Sequence, residues 1–420
     1  MGVLFVMESL RELYRIGRGP SSSHTMGPSH AAALFRRAFP QAERFQAVLY
    51  GSLAKTGKGH LTDVAIQDAF APLPTEILWE RETPEESLPH PNTMELLAFQ
   101  GEAQLGRWRV FSVGGGKIEI EGQPSVAPQD VYPLSTFQEI KEYCQREGKF
   151  LWQYVEENEG PEIWDYLRDV WKQMKATVYA GLNTEGVLHG GLGVQRKAKY
   201  LVRQRHMDES PETRENRKVC AYAFAVSEEN AGGGVVVTAP TCGASGVLPA
   251  VLVFKQEQLG FSDRDMLHAL AAAGIVGNII KTNASISGAE CGCQAEIGTA
   301  SAMAAGALVA LRDGTGQQIG HAVAMALKNL MGLVCDPVAG LVEVPCVKRN
   351  VIGAVNAISA ADMALAGIES RIPVDEVIDA MGEVGRRMPV EFRETALGGL
   401  AATPTGRRVK QQMQPGAPEF

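Results

Sequence analysis

The cysteine side chains set among glycines are the first residues of this chain whose chemistry stands out. Of the seven cysteines, five fall in or beside the segment 283–350, namely Cys242, Cys291, Cys293, Cys335 and Cys346. Thiolates bind soft metals and iron–sulfur clusters, but the spacing lacks the paired Cys-x2–4-Cys knuckles of a zinc ribbon. Free cysteine is also a common core residue. The cysteines alone therefore leave two interpretations open, a metal site and a set of ordinary buried thiols.

A serine-rich loop near the start of the chain is a second candidate for chemistry. In this loop Ser21, Ser22, Ser23 and Thr25 flank His24, just before a predicted helix. Hydroxyls, backbone N–H groups and a titratable imidazole come together there, and a helix N-terminus favours anions. For the three serines alone, a solvated turn or a helix cap is the better explanation. The presence of His24 adds a possible chemical role for the loop.

A glycine- and lysine-rich turn follows the strand predicted at 45–50. Its members are Gly51, Lys55, Gly57, Lys58, Gly59 and His60. The composition is typical of an anion-binding turn, although the G-x4-G-K-[ST] register of a P-loop is absent. A histidine near the start of a helix is often merely solvated, so this motif is weak in isolation.

Length, charge and hydropathy exclude several classes of protein. A chain of 420 residues exceeds one typical hydrophobic core, so two domains are expected. The net charge of −8 gives no electrostatic footprint for nucleic acid. The N-terminus turns charged too early for a secretory signal, and no apolar run reaches the roughly 18 residues of a membrane span. We therefore expect a cytoplasmic protein with reduced thiols and without nucleic-acid or membrane partners.

The secondary-structure signals predict an α+β fold with two domains. Alternating stretches separated by glycines predict an antiparallel sheet in a small α+β domain, residues 1–130, which carries both histidine loops. From 131 to 420 the apolar spacing is helical, and we predict an all-helical domain. Its alanine and glycine content suits closely crossing helices. The segment after Gly399 loses apolar periodicity and is predicted to be irregular.

Several blocks of the sequence, in the same order, resemble the iron–sulfur L-serine dehydratases. These blocks are GPSSSHTMGP, YGSLAKTGKGHLTD, FSVGGG, VSEENAGGGVVVTAPTCGASGVLPAVL, SISGAECGCQAEIGTASAMAA, CDPVAGLVEVPCVKRN and FRETALGGLAATPTG. The resemblance covers nearly the whole chain, and its specificity comes from the order of the blocks rather than from any one of them. It implies the single-chain form of the enzyme, which converts L-serine to pyruvate and ammonia.

The resemblance also implies a cofactor and its ligands. A [4Fe–4S] cluster would be held by Cys293, Cys335 and Cys346, with no pyridoxal phosphate. Three thiolates leave one iron open to act as a Lewis acid. Cys242 and Cys291 are then expected not to be ligands. No cysteine follows Cys346, so the terminal cysteine found in some members of the family is absent.

The remaining expected site residues lie in or next to the matched blocks. His24 and His60 are the candidates for the base that removes the α-proton, and the sequence does not decide between them. Residues expected to contact the substrate, or the cluster in the case of the last two, are Ser21, Ser22, Ser23, Thr25, Lys55, Lys58, Asn283 and Ser285.

Two other functions remain open at this point. One is a related cysteine desulfidase, in which sulfide is the leaving group. The other is a non-catalytic sensor of a metal or an amino acid. The sequence does not fix the number of subunits, and a homodimer is compatible with it.

Overall fold

The computed structural model describes residues 7–123, 130–205 and 209–413, and the chain divides into two compact units. The smaller unit is Gly17–Ala127, and the larger one combines Met1–Ile16 with Pro128–Phe420. Residues 7–16 therefore group with the larger unit, whereas the expected boundary at 130 had placed them in the smaller one. That each unit folds as an independent domain stays a prediction.

The smaller unit is a five-stranded sheet with three helices. Strand β1 (Ile16–Arg18) lies at its boundary, and the remaining elements are α1 (Gly27–Ala38), β2 (Arg44–Leu49), α2 (Gly51–Thr56), α3 (Thr62–Phe70), β3 (Thr75–Trp79), β4 (Thr93–Gln100), β5 (Ala103–Gly114) and β6 (Lys117–Ile120). The strand order is β3-β2-β4-β5-β6. The predicted antiparallel arrangement is correct for all pairs but one. Strands β2 and β3 are parallel, since the chain crosses over through α2 and α3 between them.

The core of the smaller unit lies between one face of this sheet and the helices. Along β2, buried residues alternate with half-buried ones, which directs Phe45 into the core. Its ring stacks on Phe70 of α3 at a centroid distance of 4.1 Å. Phe35 of α1 meets Trp108 of β5 edge to face at 5.1 Å. This aromatic packing fixes α1 and α3, the two helices that follow the histidine loops.

The described residues of the larger unit are mainly helical, and they include a three-residue strand, β7, which the sequence did not predict. Its elements are α4 (Phe137–Glu147), α5 (Leu151–Glu159), α6 (Ile163–Asn183), α7 (Ala198–Arg203), α8 (Pro211–Ala231), β7 (Val235–Val237), α9 (Val247–Leu259), α10 (Asp263–Asn283), α11 (Gly288–Cys291), α12 (Thr299–Ala310), α13 (Gly316–Asn329), α14 (Cys346–Leu365), α15 (Val374–Arg387) and α16 (Pro404–Met413). The α+β class predicted from the sequence is confirmed.

Helix α12 forms the centre of the larger unit. Its residues from Thr299 to Val309 are all buried, because alanine and glycine let neighbouring helices approach on every side. Close approach is also visible where α6 meets α8. A Cβ atom added to Gly181 would collide with the backbone of Ala225. Small side chains therefore set the distances between these helices.

The end of the chain differs from its prediction. The segment 404–413, expected to be irregular, forms helix α16, while the last residues, including Glu419 and Phe420, lie outside the described residues. Among the described helices, none combines the length and apolar character needed to cross a membrane.

Candidate functional site

The larger unit brings together three cysteines that are far apart in the sequence. Cys293 follows α11 and precedes a π-helical turn, Gln294–Gly298. Cys335 lies in the loop after α13, and Cys346 is the first residue of α14. All three are buried, the sulfurs of Cys293 and Cys335 lie within 4.8 Å of each other, and Cys346 is close enough to Cys293 for the two to shift each other's pKa. The three sulfurs therefore form one compact set.

The charge of this set is concentrated on Cys293. Hydrogen bonds from Cys335 and Cys346 hold the pKa of Cys293 well below its usual value, and the nearby Arg349 acts in the same direction. The pKa values of Cys335 and Cys346 are raised, first because each thiol donates to Cys293 and then because of burial. One thiolate with two neutral thiols is a set of soft donors that a cation would convert into three thiolates.

Arg349 is held firmly beside the thiolate. Its Nη1 lies 3.6 Å from Cys293 Sγ and donates to the carbonyl of Val334 at 2.8 Å. Its Nη2 donates to Asp336 Oδ1 at 2.7 Å, and Asp336 Oδ2 in turn accepts the backbone N–H of Leu400. The guanidinium therefore has a fixed position from which it offsets the negative charge of the sulfur.

Two half-buried carboxyl groups lie close to the cysteines. The side-chain ligand atoms of Cys293, Glu296 and Cys335 all lie within 4.8 Å of one another. Glu296 Oε1 accepts from Thr241 Oγ1 at 2.7 Å, while the backbone N–H of Glu394 donates to the carbonyl of Cys335. Loss of hydration and the charge of Cys293 raise the pKa of Glu296 well above its usual value and that of Glu394 to about 7. Both groups can hold a proton beside the sulfurs.

Sequence reasoning missed Arg349, Glu296 and Glu394. Each stands within the quoted blocks, in VPCVKRN, CQAEIG and FRETALGG respectively. A signal was available for the first two, because each follows a cysteine by three positions, which is one helical turn. Glu394 had no such signal, since only folding brings its loop to Cys335.

Cys242 and Cys291 have different surroundings from the three clustered cysteines. Burial raises the pKa of Cys242, and the charge of Glu296 adds to this effect. Cys291 packs against Gly385 of α15, where an added Cβ would have no room. Both thiols are thus neutral buried groups, and their expected role as non-ligands stays a prediction.

The side chains of Asn283 and Ser285 are already hydrogen-bonded within the larger unit. Asn283 Nδ2 donates to the carbonyls of Ser135 and Ile279 at 2.7 and 2.9 Å. Ser285 Oγ donates to Glu290 Oε2 at 2.5 Å. These bonds give both residues a structural role, and their contact with substrate or cluster remains a prediction.

In the smaller unit, His24 and His60 form a buried pair. Their ring centroids are 4.7 Å apart. His24 Nδ1 lies 2.9 Å from Ser23 Oγ, and its Nε2 lies 2.9 Å from Ser52 Oγ, a partner that the sequence did not indicate. Burial, followed by the charge of His60, holds the pKa of His24 well below its usual value. His24 is therefore a neutral imidazole at physiological pH.

The tautomer of His60 is set by the backbone. Its Nδ1 lies 3.1 Å from the carbonyl oxygen of Thr56. A carbonyl oxygen only accepts hydrogen bonds, so Nδ1 carries the proton and the lone pair of the neutral ring is on Nε2. The loop itself is fixed by Thr25 Oγ1, which donates to the carbonyl of His60 at 2.7 Å. This arrangement suits a general base oriented by a third group.

In the serine-rich loop that carries His24, many of the hydrogen-bonding groups are already bonded within the loop itself. The backbone N–H groups of Thr25 and Met26 both donate to the carbonyl of Ser21 in a π-helical turn. Ser21 Oγ accepts the N–H of His24. Lys55 and Lys58 are exposed. The roles predicted for the serines, Thr25 and these two lysines in binding substrate stay predictions.

These observations define a class of protein: an α+β chain with a buried set of three clustered cysteines. The serine dehydratase alpha chain family matches residues 91–401, and the serine dehydratase beta chain family matches residues 9–72. The chain belongs to the serine dehydratase family.

Similar proteins match along almost their whole length. An L-serine dehydratase of Streptomyces coelicolor is 38% identical over 450 aligned residues, covering 94% of this chain and 98% of that protein. L-serine dehydratase 1 of Escherichia coli is 39% identical, covering 94% and 99%. An L-serine dehydratase of Helicobacter pylori strain J99 is 35% identical, covering 94% and 98%.

Proposed function

We propose that this chain is an L-serine dehydratase that uses a [4Fe–4S] cluster held by Cys293, Cys335 and Cys346. The names and full-length similarity of the relatives support the reaction. The observation that carries the cofactor is the buried set of three cysteines, in which the sulfurs of Cys293 and Cys335 lie within 4.8 Å of each other and Cys346 is near Cys293. Iron–sulfur clusters are held by cysteine thiolates, so this donor set fits the group.

The reaction is an elimination followed by hydrolysis. Removing the α-proton and the β-hydroxyl of L-serine gives aminoacrylate and water. Aminoacrylate tautomerises to an imine, which is hydrolysed to pyruvate and ammonia. When bound, a cluster with three protein thiolates supplies a Lewis acid that stabilises the departing hydroxide. No pyridoxal phosphate is needed for this scheme.

We assign the removal of the α-proton to His60 Nε2. Its Nδ1 proton is committed to the carbonyl of Thr56, which leaves the basic lone pair on the other nitrogen. The ring of His24 lies 4.7 Å away, and burial together with the charge of His60 keeps His24 neutral, so it can stay uncharged beside His60 when His60 takes up the proton.

The chain also offers groups that hold a proton beside the three sulfurs. Departure of the hydroxyl consumes a proton, and the raised pKa of Glu296 makes its carboxyl group a candidate donor. Thr241 Oγ1 fixes one oxygen of this carboxyl group. We also propose that the serine-rich loop binds the carboxylate of the substrate. Assembly of the chain as a homodimer is a further part of the proposal.

Comparing substrates tests this function against its two alternatives. With anaerobically purified protein, we expect pyruvate to form from L-serine with a higher kcat/KM than from L-cysteine. A preference for L-cysteine would instead support a desulfidase. Protein that binds iron but forms no pyruvate from either amino acid would support a sensor.

A further inference from the structure

A cavity of about 700 Å³ lies in the larger unit, on elements that carry none of the three clustered cysteines. Its lining residues come from α5, α6 and the N-terminal part of α10. Three of the five tryptophans of the chain line it, and two of them, Trp152 and Trp164, are only half-buried. Core packing alone does not require such exposure of large rings, so these side chains present aromatic surface to the cavity.

The aromatic wall of the cavity is ordered. The rings of Trp152 and His268 stack with centroids 3.9 Å apart and planes inclined by only 2°. Trp164 meets both rings edge to face, at 6.1 Å from Trp152 and 5.4 Å from His268. Phe150 also lies parallel to Trp152, with centroids 6.4 Å apart. These contacts hold each ring in place, so the wall is a preformed aromatic surface against which another ring can pack.

The acidic groups of the cavity are already bonded to its own wall. Glu156 Oε1 accepts from the indole N–H of Trp164 at 2.7 Å. Asp263 Oδ1 accepts from the indole N–H of Trp171 at 2.9 Å and from Lys175 Nζ at 2.8 Å. The hydrogen bond from Lys175 is the largest cause that lowers the pKa of Asp263 to about 2. These two carboxylates therefore act as structural acceptors within the wall.

The cationic groups outnumber the acidic ones. Besides Lys175, the lining contains Arg168, Lys172 and Arg264, all three exposed. Four cations and two carboxylates give the lining a formal charge of 4 − 2 = +2, in a chain whose total is −8. Arg168 is ion-paired with Asp165, next to the lining, so Lys172 and Arg264 carry the argument for an anion. A local reversal of sign of this kind favours an anionic ligand.

We propose that this cavity binds a small aromatic anion, a flat ring joined to a phosphate or a carboxylate. The ring would stack against the Trp152–His268 wall, and the anionic group would lie near Lys172 and Arg264. The volume falls within the range of about 300–1,000 Å³ that is usual for small-molecule sites. A mononucleotide and an aromatic carboxylate share this chemistry, and separate ligands distinguish them.

Calorimetric titration of the cluster-containing full chain tests the proposal. The probes are AMP, indole-3-acetate, adenosine as a ring without charge, and inorganic phosphate as charge without a ring. We expect AMP or indole-3-acetate to bind with a Kd below about 1 mM, with adenosine and phosphate each at least about 5-fold weaker. Binding of neither aromatic anion, or equal binding of adenosine and AMP with no binding of indole-3-acetate, would overturn it.

Variants separate the contributions of ring and charge. Lys172→Gln should lower the affinity for the aromatic anion by about 3- to 10-fold. Trp152→Leu should lower it by at least about 3-fold. Trp152→Phe keeps a stacking ring and should stay within about 2-fold of wild type. Arg371→Gln, an exposed arginine that does not line the cavity, is the matched control and should have no effect.

Two results with these variants would contradict the proposal. If Arg371→Gln weakens binding as much as Lys172→Gln does, the attraction is only the general field of the protein. If Trp152→Leu binds like wild type, the ring does not stack on this wall. Unchanged pyruvate formation from L-serine in each variant shows that the fold and the proposed reaction site are intact, so failure here is distinguishable from failure of the proposed function.

Discussion

At the scale of single residues, the thiolate of Cys293 is a buried negative charge with a fixed cation beside it. A buried charge is costly unless it is paired and hydrogen-bonded. Arg349 provides the pairing at 3.6 Å, and Asp336 holds the guanidinium in position. The affinity of this site for a metal centre should therefore depend on residues that are not themselves ligands.

Arg349→Gln tests this dependence. Loss of the guanidinium should raise the pKa of Cys293 and weaken retention of the cluster by about 10- to 100-fold, the usual cost of removing an outer partner of a metal ligand. The measurement is the rate at which a chelator removes iron under anaerobic conditions. Arg371→Gln serves as the control for simple loss of charge. Equal rates for the two variants would show that Arg349 has no such role.

His60 and His24 are expected to differ in their effect on turnover. His60→Gln should lower kcat for L-serine by roughly 10²–10⁴ with the iron content unchanged, because general-base catalysis contributes about that much. His24→Gln should cost less, since Gln can still hydrogen-bond to Ser52. If both variants retain near-normal kcat, proton removal belongs to another group, with Lys55 or Lys58 next to be tested.

His24 also predicts how stability depends on pH. Its folded-state pKa is depressed by burial, whereas the unfolded chain binds the proton near pH 6.5. Below pH 6.5 the unfolded state therefore binds more protons, and stability falls as the pH falls; above pH 6.5 both states are neutral and the contribution vanishes.

Between pH 7.5 and pH 5.0 this effect amounts to as much as about 2 kcal/mol of unfolding free energy. His24→Gln should remove it, so the variant should lose less stability than wild type over that interval. Urea unfolding at the two pH values, followed by circular dichroism, measures the difference. An identical pH dependence in wild type and variant would contradict the assignment of a depressed pKa to His24.

At the scale of elements, helices α6 and α8 can approach closely because Gly181 has no side chain. Gly181→Ala would place a Cβ against the backbone of Ala225, which cannot yield as a flexible side chain could. We expect a loss of about 1–3 kcal/mol in stability, typical of overpacking. Denaturant unfolding of Gly181→Ala and of the exposed neighbour Ala180→Ser makes the comparison. A loss no larger in the first variant than in the second would show that the crossing is adjustable.

The loop that follows α15 shows a second kind of constraint at this scale. Glu394 and Ala396 have φ values of 62° and 55°, in the left-handed region that disfavours residues with a Cβ. Glu394 is held there by its N–H bond to the carbonyl of Cys335, and Cys335 N–H donates to Phe392. Backbone pairing thus attaches this loop to one of the three clustered cysteines, and it brings Glu394 to the sulfurs.

At the scale of the whole molecule, the sequence predicted the fold class because local patterns carry it. Alternating residues marked β2 and β4–β6, and helical spacing marked the larger unit. The parallel pairing of β2 with β3 was missed, since pairing direction depends on the crossover between strands rather than on their composition. Helix α16 was missed because it contains few apolar residues, mainly Val409 and Met413, so its helical spacing is hard to recognise in the sequence.

The candidate site was predictable only in part from the sequence. Spacing could not show that Cys293, Cys335 and Cys346 meet, because three different elements must converge; the resemblance to a family supplied that expectation. Arg349 and Glu296 resemble ordinary charged helix residues until folding places them beside the sulfurs. Asn283, a predicted contact of substrate or cluster, bonds to backbone carbonyls at the end of α10.

The central claim is that three cysteines hold a cluster on which the reaction with L-serine depends. The most direct measurement is iron and acid-labile sulfide per chain together with pyruvate formation, on the same anaerobic sample. Wild type and Cys242→Ser should contain about four of each per chain and be active, whereas Cys335→Ser should lose both the cluster and the activity. A Cys335→Ser protein that keeps iron and forms pyruvate, or wild-type protein that is active without iron, would contradict the account.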